Sequence, residues 1–147
     1  LGSTATIPEG SLSSTLVFRV GASLYGCDIR DAQEIVPYRA CTRLPGAPAH
    51  VRGLINIRGT IVTVIDLGVR LDPTREPIQD GTTLLIRYRD RLVGVVVDEV
   101  LDVRGLAVDE GRGKESGGAI VSGVATIDDG AVVVLDLEGL IKQVLLS

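Results

Sequence analysis

A chain of 147 residues, 45% of them apolar, can build one domain or two small lobes around a shared core. Its aromatic content is 3% and its net charge −4, so it lacks the basic face and stacking aromatics of a nucleic-acid binder. No apolar stretch approaches the ~18 residues that a membrane span needs, which argues against direct insertion into a bilayer.

In chain order, residues 1–14 (LGSTATIPEGSLSS) are small and polar and read as a disordered tail. LVFRV and SLYGCDI then predict two strands joined at Gly21-Ala22-Ser23. RDAQEIV is too short for a stable helix and too polar for a central strand. YRACTRL, bracketed by Pro37 and Pro45, fits an edge strand. GAPAHVRG predicts a turn, with Pro48 near its start. VRGLINIRGTIVTVIDL (51–67) follows, with Ile55, Ile57, Ile61, Val62 and Val64 expected in the interior.

DPTREPIQDG (72–81) is a polar connection with two prolines and reads as the link between halves. TTLLIRYRDRLVGVVVDEVLDV predicts a hairpin around Arg89-Asp90 and a long strand. DEGRGKESGG (109–118) reads as a mobile loop, AIVSGVATIDDGAVVVLDL as another hairpin, and DLEGLIKQVLL as a short closing helix.

The halves repeat. An offset of 70 places Val51 on Val121, Gly53 on Gly123, Ile57 on Ile127, Val62 on Val132, Val64 on Val134 and Asp66 on Asp136. An offset of 68 places Gly26 on Gly94 and Ile29 on Val97. Two copies of one β unit, about five short strands each, suit two small barrels packed on a common core; closing a sheet hides its edges. Asp129-Gly130 is a dipeptide that hairpin turns favour. The repeat therefore puts Arg58-Gly59 in a turn too, shifted by one residue. Arg58 can then be an ordinary solvated turn residue or a presented contact.

The segments YGCDIRDAQEI, LPGAPAHVRGLINIRGTIVTVIDL, VGVVVDEVLDV and VSGVATIDDGAVVVLDLEGLI, in this order, resemble the CheW-type chemotaxis coupling proteins over residues 16–146. Asn56 and the Val-Ile-Asp-Leu of residues 64–67 are more like the coupling protein than the kinase regulatory domain of similar fold. Thr63 stands where the family commonly has proline, and Ala32 where it often has a larger aliphatic. The resemblance implies an all-β fold: two pseudo-repeated five-stranded SH3-like β-barrels sharing a hydrophobic core, with a short C-terminal helix. It implies one CheW-like domain over 15–147, with two intertwined subdomains meeting near 72–82.

The implied role is a non-enzymatic adaptor, without cofactor, between a chemoreceptor (methyl-accepting chemotaxis protein) cytoplasmic hairpin and the regulatory domain of a CheA-type histidine kinase, in the cytoplasm. Motif by motif, Arg58, Asn56, Ile35, Glu34 and Ala32 fall to the receptor. Tyr38, Thr42, Arg43, Leu44 and Gly53 fall to the kinase. The same domain fused to a receiver, or a small barrel holding an apolar ligand, are the alternatives.

Other chemistry fits less well. Asp66 and Asp136 are repeat-related, as in a two-lobed aspartic protease, but Leu67-Gly68 and Leu137-Glu138 replace the Thr/Ser-Gly that such carboxylates need. Both aspartates are expected to end strands and cap the next turn. GRGKESGG lacks the Ser/Thr after Lys114 and the earlier glycine of a phosphate loop. His50 has no nucleophile motif, and with Cys27 and Cys41 it makes no convincing zinc set; the two cysteines are expected as free thiols. Asp98, Glu99 and Asp102 read as solvated carboxylates at a strand exit. The chain starts at Leu1 and has no Met, which reads as a trimmed piece.

Overall fold

The computed structural model describes residues 12–111, 120–128 and 130–146. The first half contributes β1 (Ser13–Val20), β2 (Ser23–Asp28), a 3-10 turn (Ile29–Asp31), β3 (Ala32–Pro37), β4 (Val51–Ile57), β5 (Thr60–Asp66) and the short helix α1 (Leu67–Leu71). The second contributes β6 (Thr82–Tyr88), β7 (Arg91–Val97), β8 (Glu99–Leu106), β9 (Val121–Ile127), β10 (Gly130–Leu135) and α2 (Leu137–Leu146). β1 thus opens inside the span read as tail. Residues 1–11, most of the loop expected at 109–118, and Asp129 lie outside the described residues.

The strands form two five-stranded sheets, in the orders β3-β6-β7-β5-β4 and β8-β1-β2-β10-β9. These are the two SH3-like barrels, called first and second below. Each mixes both repeats. The first barrel joins β3, β4 and β5 to the β6–β7 hairpin of the second repeat; the second joins β8, β9 and β10 to the β1–β2 hairpin of the first. Equivalent parallel contacts stitch the exchange, Val64 opposite Gly94 and Val134 opposite Gly26. A Cβ on Gly26 would lie 2.6 Å from a Thr15 methyl, and one on Gly94 2.9 Å from that of Thr83, so this close approach is a reason for glycine at both places.

The valine runs follow from burial on two sides. Side chains alternate across a strand, yet here both faces meet apolar surroundings. Leu16, Phe18 and Val20 of β1, Leu84 and Ile86 of β6, and Val93, Val95 and Val97 of β7 enter a core shared by both barrels, with Leu137, Leu140 and Ile141 of α2 against them. The in-between residues Leu85 and Val96 join Val36, Ile55, Ile57, Val62, Val64 and Ile78 inside the first barrel. Val17, Leu106, Ala125, Val132 and Val134 fill the second. Each large side chain so buried contributes about 1.5–3 kcal/mol. Pulling the repeats apart would expose the shared core and leave both barrels without a hairpin.

Four local expectations need correction. Ile61 is not interior: it is 60% exposed, opposite Asn56 near the tip of the β4–β5 hairpin. Residues 38–44 form no strand, only an isolated bridge from Thr42 to Leu54. The long strand after Arg91 breaks at Asp98, whose carboxylate turns back to accept from the Gly21 N–H at 2.7 Å and to meet Arg75 at 3.6 Å. Finally, Arg58 needs no one-residue shift. Gly130 pairs with Ile127 as Thr60 pairs with Ile57, so Arg58 corresponds directly to Asp128.

Candidate partner-binding site

The two residue sets proposed from sequence lie along one seam, where the outer strands β3 and β4 of the first barrel approach as the sheet curls shut. Arg58 and Gly59 make the two-residue turn with φ +49° and +89°, the left-handed pair that suits a twisted hairpin. The Asn56 side-chain oxygen accepts the Gly59 N–H at 2.7 Å and holds the turn. From it Arg58 reaches across to Glu34 on β3 with both terminal nitrogens, at 2.5 and 3.2 Å. The Arg58 side chain is 69% exposed and that of Glu34 38%. The guanidinium hydrogen bond holds the Glu34 carboxyl below its usual range, and Glu34 raises Arg58 in turn. The pair is thus formed within the chain, on the surface, with Ile35 beside it 44% exposed. Ala32 is placed differently, half-buried against the shared core.

Below the pair, Arg39 donates to the Asn56 carbonyl at 3.1 Å, tying the exit of β3 to β4. Thr42 and Leu54 exchange both backbone hydrogen bonds at 2.8 Å. That contact requires Gly53: at φ +134° a Cβ would come 2.1 Å from the Thr42 carbonyl oxygen. Arg43 and Leu44 follow on the exposed connection. Tyr38 is partly buried and packs against the core of the first barrel.

Tyr38 also belongs to a group that the sequence reading missed. Arg52 occupies a bulge in β4, between Val51 and Gly53, and bulges re-aim side chains. Its guanidinium donates to Asp66 at 3.0 Å, to the Ile78 carbonyl at 2.9 Å and to the Tyr38 hydroxyl at 2.7 Å, and lies 5.0 Å from the Tyr38 ring centre. Asp66, fully buried, further accepts the N–H groups of Val69 and Ile78 at 3.0 and 2.8 Å. It caps α1 and pins the inter-repeat connection, as the capping reading expected. Asp136 likewise accepts the Gly139 N–H at 3.0 Å in the first turn of α2. Of the two arginines in the apolar segment 51–67, the one turned inward is therefore Arg52, not Arg58. Its signal was the first of two Arg-Gly pairs, with Ser122 at the repeat-related position.

The remaining chemical candidates are structural. Cys27 is buried in the shared core, and burial first, then Asp31 and Asp28, pushes its thiol up to about 12, which keeps it protonated and unreactive. His50 gives its carbonyl to the Asp66 N–H at 2.7 Å, just as Ile120 does for Asp136. Asp98 is an anchor rather than a solvated carboxylate.

Two hairpin-exchanged SH3-like barrels with a structured, exposed polar–apolar seam define a scaffold module. The family model of the CheW-like domain matches residues 14–145. The chemotaxis protein CheW of Klebsiella aerogenes is 30% identical over 134 residues, spanning 87% of this chain and 81% of that protein. That of Bacillus subtilis is 38% identical over 101 residues, spanning 68% and 64%. The crystal structure of the scaffolding protein TtCheW from Thermoanaerobacter tengcongensis superposes with a TM-score of 0.77 at 29% identity, covering 88% of this chain and 92% of that one. The chain belongs to the CheW-like domain family and is a chemotaxis scaffold protein.

Proposed function

We propose that the protein is a non-enzymatic adaptor that couples the cytoplasmic tip of a chemoreceptor to a CheA-type histidine kinase, in the cytoplasm. The observation that carries the reading is the exposed Glu34–Arg58 pair held across the seam of the first barrel. A bidentate arginine–carboxylate pair fixes a planar, directional feature on the surface, and Ile35 and Ile61 supply apolar area near it. An amphipathic helix recognises such a surface by its apolar face. Arg58, Asn56, Glu34 and Ile35 form the receptor contact in this reading. Ala32 acts from beneath, by setting the start of β3.

Tyr38, Thr42, Arg43, Leu44 and Gly53 form the kinase contact, with Thr42 and Gly53 shaping the backbone and Arg43 and Leu44 exposed. The two subdomains, meeting near 72–82, then work as one body, since each barrel borrows a hairpin. Weak contacts to several partners gain from avidity in an assembly. The test substitutes Ile61→Ser and Arg58→Glu separately. Both variants should fold as wild type, because both side chains are exposed. Binding to a receptor cytoplasmic fragment should weaken in each, more so for Arg58→Glu. Unchanged receptor binding in both would reject the site.

A further inference from the structure

We infer that the second barrel carries a cavity that binds a guanidinium group, at the place where the first barrel supplies its own arginine. The half-open cavity has a volume of about 490 Å³, and its walls include Ser122, Asp136, Asp28, Asp31, Glu110 and Val121.

The register of the repeat fixes the equivalence. Arg52 and Ser122 are both bulge residues, each followed by a glycine: the pairing slips between Val51 and Gly53 in β4, and opposite Val134 and Leu135 in β9. Gly53 and Gly123 are both closely approached by a bridging backbone, Thr42 to Leu54 in one barrel and Asp109 to Val124 in the other. Asp66 and Asp136 both cap the helix that follows. The bulge side chain itself differs, arginine in the first barrel and serine in the second. In the first barrel its guanidinium bridges Asp66, the Ile78 carbonyl and the Tyr38 hydroxyl. In the second, Ser122 reaches no further than the Val134 carbonyl, at 3.4 Å.

Among the described residues, the space is not taken up by larger neighbours: the buried cluster of the first barrel has eight members and that of the second five, with Ala125 where the first has Ile55. The cavity wall instead concentrates carboxylates. Asp28 is engaged by the exposed Arg30 at 2.7 Å. Among the described residues no ion pair engages Asp136, Asp31 or Glu110, and these carboxylates are the charge a ligand meets. Asp31 has its carboxyl pushed up, by burial first and then by Asp28, Asp136 and Glu138. A planar cation relieves that like-charge crowding and matches a carboxylate with two parallel donors, which a compact ammonium does not. The inference is independent of the receptor and kinase reading, because the cavity is in the other barrel.

The test is an NMR titration of the full chain with agmatine and with the capped tripeptide Gly-Arg-Gly. Capped Gly-Lys-Gly and sodium chloride at equal ionic strength are the controls. Saturable shifts at the Ser122, Asp136 and Asp31 amides are expected with both guanidinium probes, and weaker ones with the lysine peptide. Asp136→Asn, which keeps a capping side chain, should weaken agmatine about tenfold. Ser122→Arg should abolish binding by filling the site, with a melting temperature at or above wild type. Tighter binding of the peptide than of agmatine identifies a partner's arginine side chain as the ligand; the reverse identifies a free guanidinium compound. Absence of saturable shifts, shifts matched by sodium chloride, or binding unaffected by both substitutions would overturn the assignment. So would an unfolded Ser122→Arg, since it denies the equivalence with Arg52.

Discussion

Arg52 meets Asp66 at 3.0 Å inside the first barrel, while the repeat-related pair is Ser122 and Asp136, with no guanidinium. The two aspartates share a capping role but differ in what else depends on them. Asp66→Ala strands a nearly buried arginine and two backbone N–H groups, and should cost about 3–5 kcal/mol. Asp136→Ala removes a cap and should cost about 1 kcal/mol. Urea unfolding of both variants checks the difference. Equal losses would show that Arg52 adds nothing to the hold on Asp66.

Gly53→Ala should be much worse than Gly123→Ala. At position 53 a methyl group combines a left-handed φ with a 2.1 Å approach to the rigid Thr42 carbonyl. At position 123 the nearest atom is a Val108 methyl at 2.5 Å, the end of a side chain, with backbone only at 3.0 Å. We expect about 2–3 kcal/mol or more for the first and a smaller loss for the second, read from thermal melts. In hydrogen exchange, the Thr42 and Leu54 amides should lose protection in Gly53→Ala.

Exchanging the charges of the seam separates its internal role from its external one. Glu34→Arg and Arg58→Glu each leave two like charges facing across the barrel edge, and the double exchange restores an ion pair with reversed polarity. If the pair only closes the barrel, the double variant should bind receptor as wild type does. The adaptor reading predicts that it folds normally yet binds more weakly than wild type, because the partner meets the wrong sign. A receptor-fragment binding isotherm on the three variants decides.

Acid should weaken the fold through His50. Burial and the nearby Arg70 lower its pKa below the ordinary 6.5, so the folded protein holds the imidazole neutral. The unfolded chain takes up its proton first as pH falls. The stability from neutral His50 is therefore present in full above about 6.5 and is lost as pH drops toward the folded value. His50→Gln should flatten the melting-temperature profile between about pH 7.5 and 5.5. An unchanged profile would assign the acid sensitivity to other groups.

Much of the framework is legible in the sequence, because residue type reports burial. Unalternating runs such as Leu92–Val97 arise where successive side chains enter different cores. The repeat is visible because Gly26, Gly94, Asp66 and Asp136 meet the same local demands twice. The exchange of hairpins is not visible: pairing of β7 with β5 is a relation between repeats that neither pattern encodes. Ile61 was misplaced for a related reason. It shares a face with Ile65, which does reach the shared core, but that core ends before the hairpin tip. Arg52 drew no reading from the sequence because a bulge, invisible there, turns it inward. The seam residues could be named from resemblance alone. That Glu34 and Arg58 hold each other needed the fold, which brings β3 and the β4–β5 turn together.

The central claim is that this chain links two other proteins and does so through the first-barrel seam. The direct measurement is retention of a CheA-type kinase on an immobilised receptor cytoplasmic fragment, with no addition, with wild-type protein and with Arg58→Glu. The account predicts retention that depends on the wild-type chain and falls sharply with the variant. Kinase retained equally in all three lanes, or a chain that binds neither partner, would contradict it.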